Sequence, residues 1–254
     1  MGLQNSLRIV LVEPQHPGNI GSAARAMRTM GLSELVLVAP AKFPHADATA
    51  MAAGADDVLE SARVFPTLRE AIADCRWVMG CTARRRHVVM DEFAPEAAAK
   101  KLREQSRLGP VALVFGRERT GLFNEELELC HAAVHIPTDP DFSSLNLAAA
   151  VQVMAWEWRR VLLAEGETQA EPARDLDLPA TAEQMEHFFT HLDQLLHDID
   201  FHKGREPATV MRRLRQLFLR AQPDERELRV LRGIFSDAQR MARLAGEAGK
   251  GGNG

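Results

Sequence analysis

Arginine, glutamate, asparagine and serine side chains stand beside glycines in several separate segments, which makes these segments the best candidates for chemistry. The first is the loop from Glu13 to Arg25, which opens a predicted helix. Gly18 and Gly21 would let its backbone approach a ligand, and a helix N-terminus favours anions. Arg25 would bind such an anion or form a surface salt bridge, and this segment alone favours neither. The loop matches neither the Walker pattern nor GxGxxG, the usual signatures of ATP and NAD binding.

A second segment, Gly80-Cys-Thr-Ala-Arg-Arg-Arg86, follows an apolar run that predicts a buried strand. Open α/β folds bind ligands at the carboxyl ends of their parallel strands. Phosphate recognition is therefore the natural interpretation of the three arginines, and a loop whose charges only aid solubility is the alternative.

Two further segments also end predicted strands. Val111–Leu122 places Glu118 between two arginines in a turn that Gly116 and Gly121 bracket, and these charges could equally form a structural ion-pair network. The segment 136–147 leads into an apolar helix, and capping that helix is the default role for its serines and asparagine.

The elements that must position these segments alternate between short β-branched runs and helical stretches. This pattern predicts an α/β fold, a parallel sheet with helices on both faces. Five strands are predicted, at Leu7–Val12, Leu35–Val38, Arg76–Gly80, Val111–Phe115 and Ala133–Ile136. The helices between them are predicted at Ile20–Met30, Thr67–Cys75, Pro95–Gln105 and Phe123–Cys130.

The helix predicted at Ser144–Leu163 is apolar all around, with Trp156 and Trp158 among its residues. Such a helix must be buried on every side. Because its own sheet can cover only one face, we expect the other face to meet a second subunit, which predicts a homodimer.

Four regions follow from composition: a sheet domain at 1–164, an acidic linker at 165–180, a helical extension at 181–245 and a disordered glycine-rich tail at 246–254. Within the extension, helices are predicted from a capping box at Thr181 to about Phe201, from Pro207 to Arg220 and from Pro223 to about Ala245. Residues 201–245 carry eleven basic and five acidic side chains, a surface for a polyanion or simply a solvated helix face.

Several classes of protein are excluded or disfavoured. No apolar run approaches the length of a membrane span or a signal-peptide core, which predicts a cytoplasmic protein with no membrane contact. The three cysteines form no CxxC pair, so we expect reduced thiols rather than disulfides or a zinc knuckle. His187 and His191 have chelating spacing, but no third ligand is evident in the sequence.

Three motifs taken in order resemble those of the SpoU branch of the SPOUT RNA methyltransferases. They are Asn19-x-Gly-x-x-x-Arg25, Phe115-Gly-x-Glu-x-x-Gly-Leu122 and Ser144-Leu-Asn-Leu-x-x-Ala150. The similarity covers about residues 3–163, and the helical extension is most similar to that of a tRNA ribose 2'-O-methyltransferase of this branch. The resemblance implies a trefoil-knotted sheet domain that pairs with a second subunit to make the active site.

The resemblance also implies S-adenosylmethionine as the cofactor, with no metal. The cofactor-binding residues carried over from the family motifs are Cys81, Thr82, Ala83, Gly116, Ile136, Ser143, Ser144, Leu145 and Asn146. Many of these contacts would be made by backbone groups, which is consistent with so many small residues.

Arg25 takes the catalytic role in this resemblance, and the RNA-contacting residues are Asn19, Arg84, Arg86 and Glu118. A guanidinium stays protonated in proteins, so we expect Arg25 to bind a phosphate and stabilise charge on the 2'-oxygen rather than act as a base. The implied reaction is 2'-O-methylation of cytidine or uridine at position 32 of the tRNA anticodon loop. A family enzyme acting on another tRNA position or on ribosomal RNA, and a non-catalytic RNA-binding module of the same fold, are the alternatives.

Overall fold

The computed structural model describes residues 7–83, 90–165, 178–204 and 206–251, with the backbone alone for 246–251. The chain forms two compact units, Met1–Arg174 and Asp175–Gly254, which are described separately. No helix in the described ranges combines the length and the hydropathy needed to cross a membrane.

The first unit is built on one seven-stranded sheet in which every neighbouring pair runs parallel. The strand order is β3-β2-β1-β6-β4-β7-β5. The strands are β1 (Leu7–Val12), β2 (Leu35–Val38), β3 (Arg63–Phe65), β4 (Trp77–Thr82), β5 (Asp91–Phe93), β6 (Val111–Phe115) and β7 (Ala132–His135). The five predicted strands are confirmed within two residues, and the short edge strands β3 and β5 are additional.

Seven helices accompany these strands within the described residues, six of them between strands and the seventh after β7. They are α1 (Pro17–Thr29), α2 (Ala46–Ala52), α3 (Asp56–Glu60), α4 (Leu68–Ala71), α5 (Pro95–Ser106), α6 (Asn124–Leu127) and α7 (Leu147–Glu165). Alternate strand residues such as Ile9 and Leu113 pack in one core with α1, α5 and α7. The opposite face is covered as well, because Gly80 lies against Leu127 of α6 and the Arg8 guanidinium bonds the Ala71 carbonyl of α4. The predicted coverage of both faces is therefore confirmed.

Gly21 has a role different from the predicted one. A Cβ at this position would collide with the Ala48 carbonyl, so the glycine lets α1 pack closely on α2. The prediction that Gly21 serves close approach to a ligand is wrong, because a helix absent from the predicted elements occupies that space.

Helix α7 is only partly covered within its own chain. Val151, Met154 and Trp158 are buried, whereas Trp156 is 49% exposed and Leu163 is 62% exposed. An apolar helix face that remains exposed is a candidate interface, and the homodimer predicted from this helix stays a prediction.

The second unit contains α8 (Ala182–Asp198), α9 (Pro207–Ala221) and α10 (Glu225–Gly251). Thr181 and Gln184 form the predicted capping box at the start of α8. The core gathers aromatic rings around Phe188, including those of Phe218 and Phe235. Helix α10 continues to Gly251, past the position where the sequence predicts a disordered tail. Most of the predicted linker lies outside the described residues.

Candidate active site

A cavity of about 500 Å³ opens where β4, β6 and β7 end. Cys81 and Thr82 end β4, Phe115 ends β6, and Ile136 follows β7. The carboxyl edge of the sheet therefore forms one wall of the cavity. The residues before α7, among them Ser144, form another wall. The volume lies in the range typical of small-molecule sites.

The turn after β6 has a shape that only glycine allows. A Cβ on Gly116 would collide with the backbone of Gly121 and Leu122, and Gly121 adopts a φ of 67°. A bridge between Arg117 and Gly121, with a 2.9 Å hydrogen bond from the Gly121 N–H to the Arg117 carbonyl, closes the turn. The motif glycines therefore set the backbone that lines the cavity.

Arg117 joins this turn to the loop after β1. Its guanidinium donates to Glu13 Oε1 at 2.5 Å and to Glu126 Oε1 at 3.0 Å, and it stacks 4.0 Å from the centre of the Phe123 ring. The hydrogen bond from Arg117 lowers the pKa of Glu13, and the same bond raises the pKa of Arg117. The ion-pair network that the sequence leaves open at this motif thus exists around Arg117.

Glu118 binds the first loop instead. Its carboxylate accepts hydrogen bonds from the Gln15 N–H at 3.0 Å, the His16 N–H at 3.2 Å and Asn19 Nδ2 at 3.0 Å. Burial would raise the pKa of Glu118, but the hydrogen bonds from Asn19 and the backbone outweigh it and the pKa is lowered. Glu118 is therefore an ionised anchor for the start of α1.

Asn146 extends this connection to the third motif. Its Nδ2 donates to Asn19 Oδ1 at 3.0 Å, while its Oδ1 accepts from the Ala148 N–H at 2.9 Å. Asn146 thus caps α7, as its default interpretation predicts, and also bonds the residue that Glu118 holds. One polar chain, Glu118–Asn19–Asn146, joins the three motifs.

Cys81 is the one thiol on the cavity wall among the described residues. Burial raises its pKa to about 12, so the thiol stays neutral near pH 7. It contributes apolar surface rather than a nucleophile.

Eight of the nine predicted cofactor residues line this cavity, and Asn146 is the exception. Ten further residues line the cavity without a role there predicted from the sequence. These are Phe115, Arg117, Arg119, Thr120, Gly121, Leu122, Phe123, Thr138, Leu147 and Ala150. The turn that Gly116 and Gly121 bracket was the available signal for four of them.

The predicted RNA-side residues divide into three groups. Asn19 and Glu118 bond each other beside the cavity, and Glu118 also lines it. Arg25 is exposed on α1, does not line the cavity and makes no hydrogen bond or ion pair within the described part of the chain. Arg84 and Arg86 lie outside the described residues.

Two family models match this chain. Residues 6–156 match the SpoU rRNA Methylase family, and residues 183–247 match the C-terminal domain of the tRNA methyltransferase TrmJ.

Individual relatives and solved structures span nearly the whole chain. The tRNA (cytidine/uridine/adenosine-2'-O-)-methyltransferase TrmJ of Pseudomonas aeruginosa is 48% identical over 244 residues, covering 93% of this chain and 95% of the relative. The tRNA (cytidine/uridine-2'-O-)-methyltransferase TrmJ of Klebsiella pneumoniae is 46% identical over 94% of this chain and 98% of its own. The crystal structure of TrmJ from Z. mobilis superposes with a TM-score of 0.79 at 40% identity, covering 91% of this chain and 97% of that chain.

Proposed function

Because this chain belongs to the SpoU methylase family, we propose that it transfers a methyl group from S-adenosylmethionine to a ribose 2'-hydroxyl of tRNA. The observation that carries the proposal is the cavity at the carboxyl edge of the sheet, which the second and third motifs line and the first motif adjoins. The relatives that match both units act on tRNA by name, which favours tRNA over ribosomal RNA. We propose cytidine or uridine at position 32 as the target.

The cavity suits the proposed cofactor in volume and in lining. Threonine and serine hydroxyls from Thr82, Thr138 and Ser144 stand beside apolar side chains such as Leu122 and Leu147, a mixture suited to a nucleoside with a polar tail. When bound, S-adenosylmethionine supplies the methyl group as an electrophile. The turn at Gly116 brings its backbone to the cavity wall, where its N–H and carbonyl groups can contact a ligand.

Arg25 is proposed to act on the RNA rather than on the cofactor. Methyl transfer to an alcohol requires in-line alignment and charge stabilisation at the oxygen as its proton leaves. A permanently charged guanidinium supplies that stabilisation and can hold the adjacent phosphate. The exposure of Arg25 outside the cavity leaves it available for this contact.

We further propose a homodimer that completes this site, and the trefoil knot that the family implies. Exposed apolar side chains on α7, Trp156 and Leu163, support a subunit interface there. Leu145 lies on the cavity wall and Phe142 immediately precedes the wall residue Ser143. Both side chains are exposed, which supports an interface that adjoins the site. In the sheet β6 lies between β1 and β4, so the strands do not follow sequence order, and this non-sequential path supports the proposed knot.

The helical unit is proposed to bind the body of the tRNA. Helices α9 and α10 expose many arginines to solvent, a surface suited to phosphates: Arg212, Arg213, Arg220, Arg226, Arg229, Arg232, Arg240 and Arg243. A chain that ends at residue 165 should therefore bind tRNA much more weakly, and the affinity of the full chain should fall steeply with salt.

The test is incubation of the full-length chain with labelled S-adenosylmethionine and total tRNA, followed by nucleoside analysis and mapping of the label. We expect 2'-O-methylated cytidine or uridine at position 32. Label at another tRNA position, or label only in ribosomal RNA offered in a parallel reaction, would replace the proposed substrate. Calorimetry that detects no binding of S-adenosylmethionine would favour a non-catalytic RNA-binding module.

A further inference from the structure

The helical unit contains a second cluster of chemically capable side chains. Asp193 and His197 lie four residues apart on α8, and His202 follows in the turn after this helix. One donor atom from each of the three lies within 4.8 Å of the others. None of these residues belongs to the cavity of the first unit.

His202 is buried without the partners that a buried imidazole normally has. The residue is 9% exposed, and both of its ring nitrogens are shielded from solvent and have no hydrogen-bond partner among the described residues. Buried polar groups in folded proteins nearly always have a partner in the protein, a water or an ion. The environment of His202 therefore points to a bound species.

The relative placement of the two histidines suits a shared ion. Their ring centres are 5.0 Å apart, with an angle of 66° between the ring planes. A tetrahedral ion about 2 Å from one nitrogen of each ring would hold the ring centres about 5 Å apart. His197 Nδ1 lies 2.9 Å from the Asp193 carbonyl oxygen, and donation of that bond leaves a lone pair on Nε2 for a metal.

We propose that Asp193, His197 and His202 bind one divalent zinc ion, with water as a fourth ligand. Two imidazoles and one carboxylate suit zinc and similar transition ions, whereas magnesium and calcium prefer oxygen ligands throughout. The side chains of Asp193 and His197 are about half exposed, so they can rotate to bring the donors to bonding distance. The ion ties the last turn of α8 to the segment that leads into α9, and the proposal is independent of the methyl transfer.

The test measures zinc binding by the full-length chain, prepared without a histidine tag and freed of metal by a chelator that is then removed. Calorimetric titration should give one zinc ion per chain, and cobalt should give the visible absorption of a four-coordinate site. Asp193→Asn and His197→Gln change partly exposed side chains, so they should keep the fold, verified by circular dichroism, and weaken zinc binding at least tenfold. His202→Gln should do the same, and if it unfolds, the other two variants decide.

His187→Gln provides the matched control, because His187 is an exposed histidine on the same helix outside the cluster. It should bind zinc as the unmodified chain does. The proposal is overturned if the full chain binds no stoichiometric zinc, or if Asp193→Asn and His197→Gln bind it normally. Loss of binding in His187→Gln would also overturn it, since that would place the ion elsewhere. Methylation is not the readout, so failure here leaves the proposed function untouched.

Discussion

Glu118 holds Asn19 in place through a 3.0 Å hydrogen bond from the amide to the carboxylate, which joins the turn after β6 to the first turn of α1, 99 residues apart in the chain. The same carboxylate accepts the backbone N–H groups of Gln15 and His16. The loop that leads into α1, and with it the approach to Arg25, therefore depends on one ionised side chain.

Replacing Glu118 tests this dependence. In Glu118→Gln an amide NH₂ takes the place of one accepting oxygen and faces N–H donors, so the segment 15–19 that begins α1 should loosen. We expect kcat/KM for tRNA to fall about 10- to 100-fold, because small displacements of positioning groups are costly. Steady-state kinetics would measure this, with Glu125→Gln on α6 as an exposed control that should retain normal rates.

Replacing Arg25 should change turnover and leave cofactor affinity unchanged. Arg25→Ala should lower turnover about a hundredfold, the usual cost of losing one electrostatic stabiliser, while the Kd for S-adenosylmethionine stays nearly constant. Arg28→Ala, on the same helix and with an exposed ion pair to Asp57, is the control. Normal turnover in Arg25→Ala would exclude it from the reaction.

Gly116→Ala tests whether the turn shapes the cavity. The added methyl would collide with the backbone of Gly121 and Leu122, which side-chain rotation cannot relieve. Affinity for S-adenosylmethionine should fall more than tenfold, as measured by calorimetry. In Gly233→Ala the methyl meets nothing within 4 Å on α10, so affinity should be unchanged and helix stability should rise by about 1 kcal/mol. Equal effects of the two substitutions would contradict this explanation.

His131 predicts a specific pH dependence of stability. Burial lowers its pKa to about 4, while its Nδ1 accepts the Val78 N–H at 3.1 Å. The ordinary pKa of histidine is about 6.5, so below pH 6.5 His131 is protonated in the unfolded chain but still neutral in the folded chain. This histidine therefore lowers the free energy of unfolding as the pH falls from about 6.5 to 4. Over this whole pH interval the contribution of His131 lowers the free energy of unfolding by about 3 kcal/mol.

The measurement is urea unfolding between pH 7 and pH 4.5. His131→Asn keeps an acceptor for Val78 and removes the titrating ring, so its free energy of unfolding should fall less over this interval than that of the unmodified chain. His187→Gln is the matched control and should retain the original slope. Parallel pH profiles for the unmodified chain and His131→Asn would exclude His131 as the source.

The sequence predicts the central strands because each is a short β-branched run, and β1, β2 and β6 match the predicted bounds. Helices α2 and α3 escaped prediction because neither carries a clear apolar periodicity in its sequence. Strands β3 and β5 escaped because three-residue edge strands depend on a neighbour for their hydrogen bonds. The insertion of β6 between β1 and β4 is a tertiary choice that no local pattern contains.

Part of the candidate site could also be predicted from the sequence, and part could not. The resemblance indicated eight cofactor residues on the cavity wall, and the segments that end predicted strands contain most of the others, since strand ends meet at one edge of a parallel sheet. The bond between Asn19 and Asn146 spans 127 residues and could not be foreseen from spacing. The cluster of Asp193, His197 and His202 also escaped, because the helix ends between its last two members and places them on one side.

The polar chain from Glu118 through Asn19 to Asn146 has a thermodynamic consequence. Any RNA that shifts the segment 15–19 at the start of α1 also acts on the first turn of α7, whose preceding residues border the proposed donor pocket. Linkage makes such an effect mutual: the factor by which substrate alters donor affinity equals the factor by which donor alters substrate affinity. Titrating each in the presence of the other would measure one coupling constant from both directions.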